Sequence, residues 1–466
     1  MSDAFFDLCN RLAEVDLFGT AGEPMPKGTA LSKAVQDAAP LLPHAYLSSY
    51  GQPLETALRR LIALAHQDAT TVETLTGAVY QHGSGNPAAA PLNRFLAVIS
   101  NLYRSFLDNN KRSSVGVPLS ETLPPLAMFQ HDGDNGPFTV TTEQVQQLIG
   151  SSVGVVSMPA TYAPHPLIWA ALAHETGGHD VTHADPGLLD ELGTGISAAF
   201  AGMPNDPSIS RDDLALLWSY WIDEASADAY GLLNIGPAFA PNLAAFFAAL
   251  NAKETQGKPT LRMVSAFSRF DPNKILDPHP TDIIRLHLAI GATESLVGLS
   301  AATRSQYIQE MEDLARKLSE GDTVTVVGNI PIDGDQLRPF EVKVPLAVMQ
   351  QAARNVGGYI VTARLAALDQ HTIQDIETWD DADEAKAQAV KAAMLAGTSA
   401  VTLGDDAQLL AGATLAVLDQ PAKYDTVTQA LNDGLDDSFR RDPIWGMRPV
   451  DAAYIRYARE LVLRVS

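Results

Sequence analysis

A single cysteine, Cys9, in a chain of 466 residues leaves no internal disulfide and excludes metal sites built from several thiolates. Basic residues are scarce too. Lys and Arg number 32 against 55 Asp and Glu, a net charge of −23. So acidic a chain is a poor partner for nucleic acid or an anionic membrane surface, and suits neutral or cationic substrates. No apolar run approaches the roughly 18 residues needed to span a bilayer. The N-terminus, Met1-Ser2-Asp3-Ala4-Phe5-Phe6-Asp7, has neither the basic start nor the long apolar stretch of a signal peptide, so a cytoplasmic protein is expected. The chain holds no phosphate-binding glycine loop and no Gly-x-Ser-x-Gly elbow, which removes two common catalytic classes. Cys9 lies in an apolar amphipathic stretch, a poor setting for a thiol nucleophile.

What is present is enough apolar sequence, 46%, for a full core. Length allows two or three domains of about 150 residues. Residues 1–120 read as a helical region, with apolar positions at three- and four-residue spacing over Pro53–Ala65 and Leu92–Tyr103. Residues 121–300 form the expected core region. Strands are predicted at Leu126–Phe129, Phe138–Val140 and Val153–Pro159, and a capping box from Thr141 to Gln144 opens a helix between them. The last of these strands could pair with an extended peptide along its edge. Residues 301–466 read as mostly helical with a small hairpin, Thr323–Val327 against Phe340–Val344. Asp380-Asp381-Ala382-Asp383-Glu384 is the acidic first turn of a helix ending near Gly397. The expected class is α+β, predominantly α-helical, with a small sheet beside the site and helical regions on either side.

The chemistry concentrates in His174-Glu175-Thr176-Gly177-Gly178-His179-Asp180, entered from the apolar run Pro166–Ala173. Neutral imidazoles hold Zn²⁺, and an adjacent carboxylate takes a proton from metal-bound water. The usual histidine spacing is four, which puts both ligands within about 40° on one helix face. Here it is five, about 140° apart on a regular helix. A local bulge must absorb the extra residue, and Gly177 and Gly178 tolerate such a distortion best.

A third ligand is needed, and Glu224 is the candidate, 45 residues beyond His179 (224 − 179). Asp228 follows one helical turn later on the same face and could orient a ligand histidine. Asp223 is expected to point elsewhere, into solvent. In Asp277-Pro278-His279-Pro280-Thr281-Asp282-Ile283-Ile284-Arg285, His279 stands at the mouth of a helix, placed to stabilise an oxyanion. Tyr230 is a second candidate for that task. Arg285 could pair with Asp228. A rival metal set is His179 with His183, four apart, and a carboxylate such as Asp185 or Glu224. It leaves the glycines unexplained.

His-Glu…His, then Glu-x-x-x-Asp, then His-Pro…Arg, in this order, resembles the gluzincin metallopeptidases, closest to the CAAX prenyl protease and HtpX-type branch. The resemblance covers about residues 150–295. It implies a zincin-like core in which His174, His179 and Glu224 hold Zn²⁺. It further implies Glu175 as general base, with Asp228, His279 and Arg285 as supporting groups. That branch has the four-residue histidine spacing and transmembrane helices, and this chain has neither. The His-Glu-x-x-Gly-His spacing is instead similar to dipeptidyl peptidase III, another gluzincin. The implied activity is a zinc-dependent peptidase acting on a peptide or protein substrate. The alternative is a zinc-binding scaffold on the same frame without turnover.

Overall fold

Helices dominate because apolar positions recur at helical spacing along most of the chain, and the residues that cap those helices stand where the pattern stops. The computed structural model describes residues 2–15, 69–82, 89–107, 123–130, 136–151, 153–255, 257–265, 277–331 and 337–445, with a few single positions between 33 and 115. The N-terminal region supplies α1 (Ser2–Glu14), α2 (Ala69–Gln81) and α3 (Ala89–Leu107). α3 contains the helix expected over 92–103. The helix expected over 53–65 lies outside the described residues.

Next come β1 (Leu126–Gln130), β2 (Phe138–Val140), α4 (Thr142–Ile149) and β3 (Val155–Pro159). Thr141 caps α4 in a capping box with Gln144, and Gly150 closes it at φ 76°. The three strands form one sheet in the order β1-β3-β2. β1 runs parallel to β3 with Leu126 opposite Val155, and β2 runs antiparallel to it with Thr139 opposite Val156. β3 is therefore the central strand. β1 covers one edge throughout and β2 covers the other over Val155–Ser157, which blocks the expected peptide pairing there.

A 3₁₀ stretch, Pro166–Ala170, leads into α5. This helix is continuous in three pieces: α-helical Ala171–His174, π-helical Glu175–Asp180 and α-helical Val181–Ala184. Then follow α6 (Leu188–Gly195), α7 (Arg211–Tyr220), α8 (Ile222–Ile235) and α9 (Phe239–Thr255). The pattern reads 212–222 as one helix. Trp221, at φ −89° and ψ 6°, breaks it, and α8 begins afresh one residue later.

Beyond β4 (Val264–Ser265) lie α10 (Asp282–Glu294) and α11 (Ala301–Leu318). The hairpin of β5 (Thr323–Pro331) and β6 (Leu337–Pro345) follows, with β4 parallel to β5 at its side. The chain continues through α12 (Leu346–Thr362), α13 (Asp381–Ala396), α14 (Asp406–Asp419) and α15 (Tyr424–Arg441). Asp380 caps α13 and Gly397 ends it at φ 69°, as the acidic run suggests.

Three helices are buried on every side and make the centre. They are α8 from Glu224, α10 through Thr293 and α14 through Leu418. α1 packs on α9 and α14, and α15 packs on α3 and α14, so the first and last described helices join one apolar cluster. No described helix is long and apolar enough to cross a membrane. The structure is predominantly α-helical with two small mixed sheets, the class the sequence implies.

Candidate metal centre

The extra residue between the histidines is absorbed by the π-helical turn Glu175–Asp180. Such a turn closes at i→i+5, so residues five apart come round to the same side. His174 and His179 accordingly meet edge to face, with ring centroids 4.7 Å apart and Nε2 atoms 3.2 Å apart. The two glycines have a further reason to be there. A Cβ on Gly178 would lie 2.5 Å from Ala227 Cβ, and one on Gly177 would lie 2.5 Å from Asn234 Nδ2. Both neighbours belong to α8, which presses onto the π turn where any side chain would hold it off.

That close approach delivers Glu224. Its Oε2 lies 3.2 Å from His174 Nε2, and its Oε1 lies 3.6 Å from His179 Nε2. His174, His179 and Glu224 offer three ligand atoms within 4.8 Å of one another and could hold a metal ion. His174 and Glu224 are only 7% and 9% exposed.

Each imidazole is fixed from behind. His174 Nδ1 donates to Asp228 Oδ1 at 3.0 Å, and Arg285 grips both oxygens of Asp228 at 2.7 Å. The Arg285 guanidinium lies over the Phe247 ring at 4.6 Å. His179 Nδ1 donates to Asp223 Oδ1 at 2.9 Å. His279 Nδ1 donates to Asp277 Oδ1 at 3.0 Å, and its Nε2 stands 3.2 Å from Glu224 Oε1. With each Nδ1 proton held by a carboxylate, the Nε2 lone pairs of His174 and His179 are turned toward Glu224. His279 is the solvent-side member, its side chain 46% exposed.

The electrostatics agree with a site built around a cation. Burial alone would lower His179, but Glu224, Asp223 and Glu175 outweigh it and lift its pKa to about 10. His174 is raised in the same way, burial being overcome by Asp228 and Glu224. Burial would raise Glu224, yet His279, His179 and His174 hold it well below the carboxylate range. The surrounding carboxylates thus favour positive charge on both imidazoles.

Sequence reasoning points Asp223 away from the site into solvent; its side chain is 43% exposed, yet it faces the site. Asp223 supports His179 and also accepts from His183 Nε2 at 3.2 Å. α8 lies so close to α5 that positions 223, 224, 227 and 228 all meet it, a wider face than a single stripe. The rival set changes as well. Asp185 is bound to Arg112 at 2.8 and 3.0 Å. His179, His183 and Asp223 do form a second cluster of potential ligands. His183, however, sends its other nitrogen, Nδ1, to Glu143 Oε2 at 3.3 Å. With Nε2 on Asp223 and Nδ1 on Glu143, the His183 ring ties two carboxylates together.

Tyr230 is also corrected. It is wholly buried, edge-on to Phe106 at 5.1 Å, in the core behind the site. Cys9 is buried, and desolvation drives its thiol far above its ordinary range, which disarms it. Three partners escape the sequence pattern. Asp277 orients His279. Thr139 donates to Glu175 Oε2 at 2.9 Å. Asp180, fully buried, accepts from Thr142 N and Oγ1 at 2.8 and 3.0 Å. Gly154 leaves room for that carboxylate, since a Cβ there would lie 2.5 Å from Asp180 Oδ1. Compared with known protein families, with curated proteins and with solved structures, the chain matches none.

Proposed function

We propose that the protein is a zinc-dependent peptidase with Glu175 as general base. The observation that carries this reading is the convergence of His174, His179 and Glu224, with Glu175 next to the first of them. Two imidazoles and a carboxylate suit Zn²⁺, whose tetrahedral bonds of about 2.0–2.1 Å space ligand atoms about 3.3–3.4 Å apart. Here the two Nε2 atoms are 3.2 Å apart, and each faces its own oxygen of Glu224, His174 to Oε2 at 3.2 Å and His179 to Oε1 at 3.6 Å. Three protein ligands, with room for a water, are the pattern of catalytic zinc, whereas structural sites are closed by four.

Bound zinc supplies Lewis acidity toward the carbonyl and lowers the pKa of its water. The chain's own residues do the rest. Glu175 takes the proton of the attacking water and returns it to the leaving amine. His279, steered by Asp277, offers Nε2 on the solvent side, where a proton on it bonds the carbonyl oxygen as charge builds there. Asp228 with Arg285, and Asp223 with His183, keep the two ligand imidazoles in their tautomers. The order of these groups along the chain, similar to gluzincin peptidases, supports a peptide or protein as substrate. The acidic balance of the chain favours one that is neutral or cationic.

Metal analysis by mass spectrometry on purified protein, beside His174→Ala, is the first test. About one zinc per chain is expected in the wild type and little in the variant. The second is Glu175→Gln assayed on casein and short peptides. It should retain zinc and lose turnover by about 10²-fold or more. Less than half an equivalent of zinc after supplementation, or full activity in Glu175→Gln, would refute the reading. A zinc-loaded wild type that cleaves no peptide leaves a metal-binding scaffold.

A further inference from the structure

The edge strand β2 does more than complete the sheet. Thr139 on this strand is held by its pairing opposite Val156 and carries its hydroxyl to the motif helix. Its Oγ1 lies 2.9 Å from Glu175 Oε2 and 3.1 Å from the Glu175 main-chain oxygen. The hydroxyl has one proton, and the charged, nearer oxygen takes it. No other donor among the described residues reaches the Glu175 carboxylate.

Two further ties to the motif helix follow within four residues, from the start of α4. Thr142 binds Asp180 through N and Oγ1, and Glu143 accepts from His183 Nδ1. Residues 139, 142 and 143 thus meet 175, 180 and 183 along α5. The first of these meetings falls on the base itself.

We propose that Thr139 is the positioning residue of Glu175. Its hydroxyl holds Oε2 in one place and leaves Oε1 as the oxygen that accepts the proton. This rests on the peptidase reading for its consequence, though not for its geometry. A carboxylate attached by flexible torsions has several staggered positions open to it. A single bond from a rigid strand selects one of them, and a base displaced by about 1 Å loses rate steeply.

The test compares Thr139→Val and Thr139→Ser with the wild type as zinc-loaded full-length protein. Valine keeps the branched shape that suits a strand and removes the hydroxyl. Thr139→Val should keep its zinc and its KM and lose about 10- to 100-fold in kcat, with Thr139→Ser restoring most of the loss. A crystal structure of zinc-loaded Thr139→Val should show the Glu175 carboxylate moved by more than about 0.5 Å. An unchanged kcat in Thr139→Val, or a Glu175 that stays in place, overturns the proposal. If wild type and Glu175→Gln prove equally inert on peptides, the peptidase reading falls. The crystallographic comparison then still decides whether Thr139 holds Glu175.

Discussion

Replacing Gly178 by alanine asks a single methyl group to enter the contact that assembles the site. That methyl would sit 2.5 Å from Ala227 Cβ, about 0.9 Å short of the 3.4 Å at which ordinary contact begins. Neither side can yield cheaply. Gly178 belongs to the π turn, and Ala227 is an inner residue of a buried helix. Overpacking of this kind costs about 1–3 kcal/mol. The heavier consequence falls on Glu224, which stands one turn before Ala227 on α8. Relief of the clash moves that carboxylate away from the imidazoles by a distance similar to the shortfall. Metal ligation tolerates only about 0.2 Å. Zinc affinity, measured by competition with a chromophoric chelator, should fall by more than the 10- to 100-fold typical of outer partners. The melting temperature should drop by a few degrees at the same time. Gly202→Ala is the matched control, because a Cβ there meets nothing within 4 Å. A Gly178→Ala protein that binds zinc like the wild type and melts with it would refute the close-packing argument.

Three other outcomes follow from the same site. Asp228→Asn removes the two-pronged counter-charge of buried Arg285 and leaves it Glu224 at 3.9 Å, the Asp228 and Arg285 side chains being only 1% and 4% exposed. Breaking such a pair costs about 3–5 kcal/mol, and an unaltered calorimetric transition would contradict it. Zinc binding should also expel a proton at neutral pH, because the metal-free His179 titrates at about 10. Calorimetric enthalpies in buffers of different ionisation heat should reveal the release, and affinity should rise about tenfold per pH unit for each proton displaced. The same shift acts oppositely on the stability of the metal-free protein. Its contribution is complete below the ordinary imidazole value of 6.5 and fades as pH rises through about 10. A metal-free protein that gains stability across that window would refute it.

Glu224 and Asp228 are legible in the sequence because their four-residue spacing puts both on one helix face, and His174, His179 and Arg285 because of the residue types around them. The Gly177-Gly178 pair even announces the bulge, since no ordinary helix has reason to place two glycines there. What the spacing omits is contact between elements. Thr139 meets Glu175 across 36 residues, and only the register of β2 against β3 brings it there. Asp223 looks misdirected next to Glu224 until the break at Trp221 and the tight seat of α8 are known. Tyr230 misleads for the reverse reason. Its hydroxyl suggests chemistry, while its place on the far side of α8 gives it to the core. Of the strands, Leu126–Gln130 and Phe138–Val140 are readable as elements, but their order in the sheet is not, and β3 turns out to be the strand with least freedom.

The π turn also sets the rotational phase between the two ends of α5. Upstream, His174 is aimed at Asp228. Downstream, Asp180 is aimed at Thr142 and His183 at Glu143. Deleting one glycine would give the commoner histidine spacing, and a regular helix would then bring His179 to the side it occupies now, with Asp180 and His183 following it in phase. The surplus residue therefore leaves the two ends of the rod in their common orientation. What it adds is local girth without side chains, a notch in the rod where α8 can seat against bare backbone.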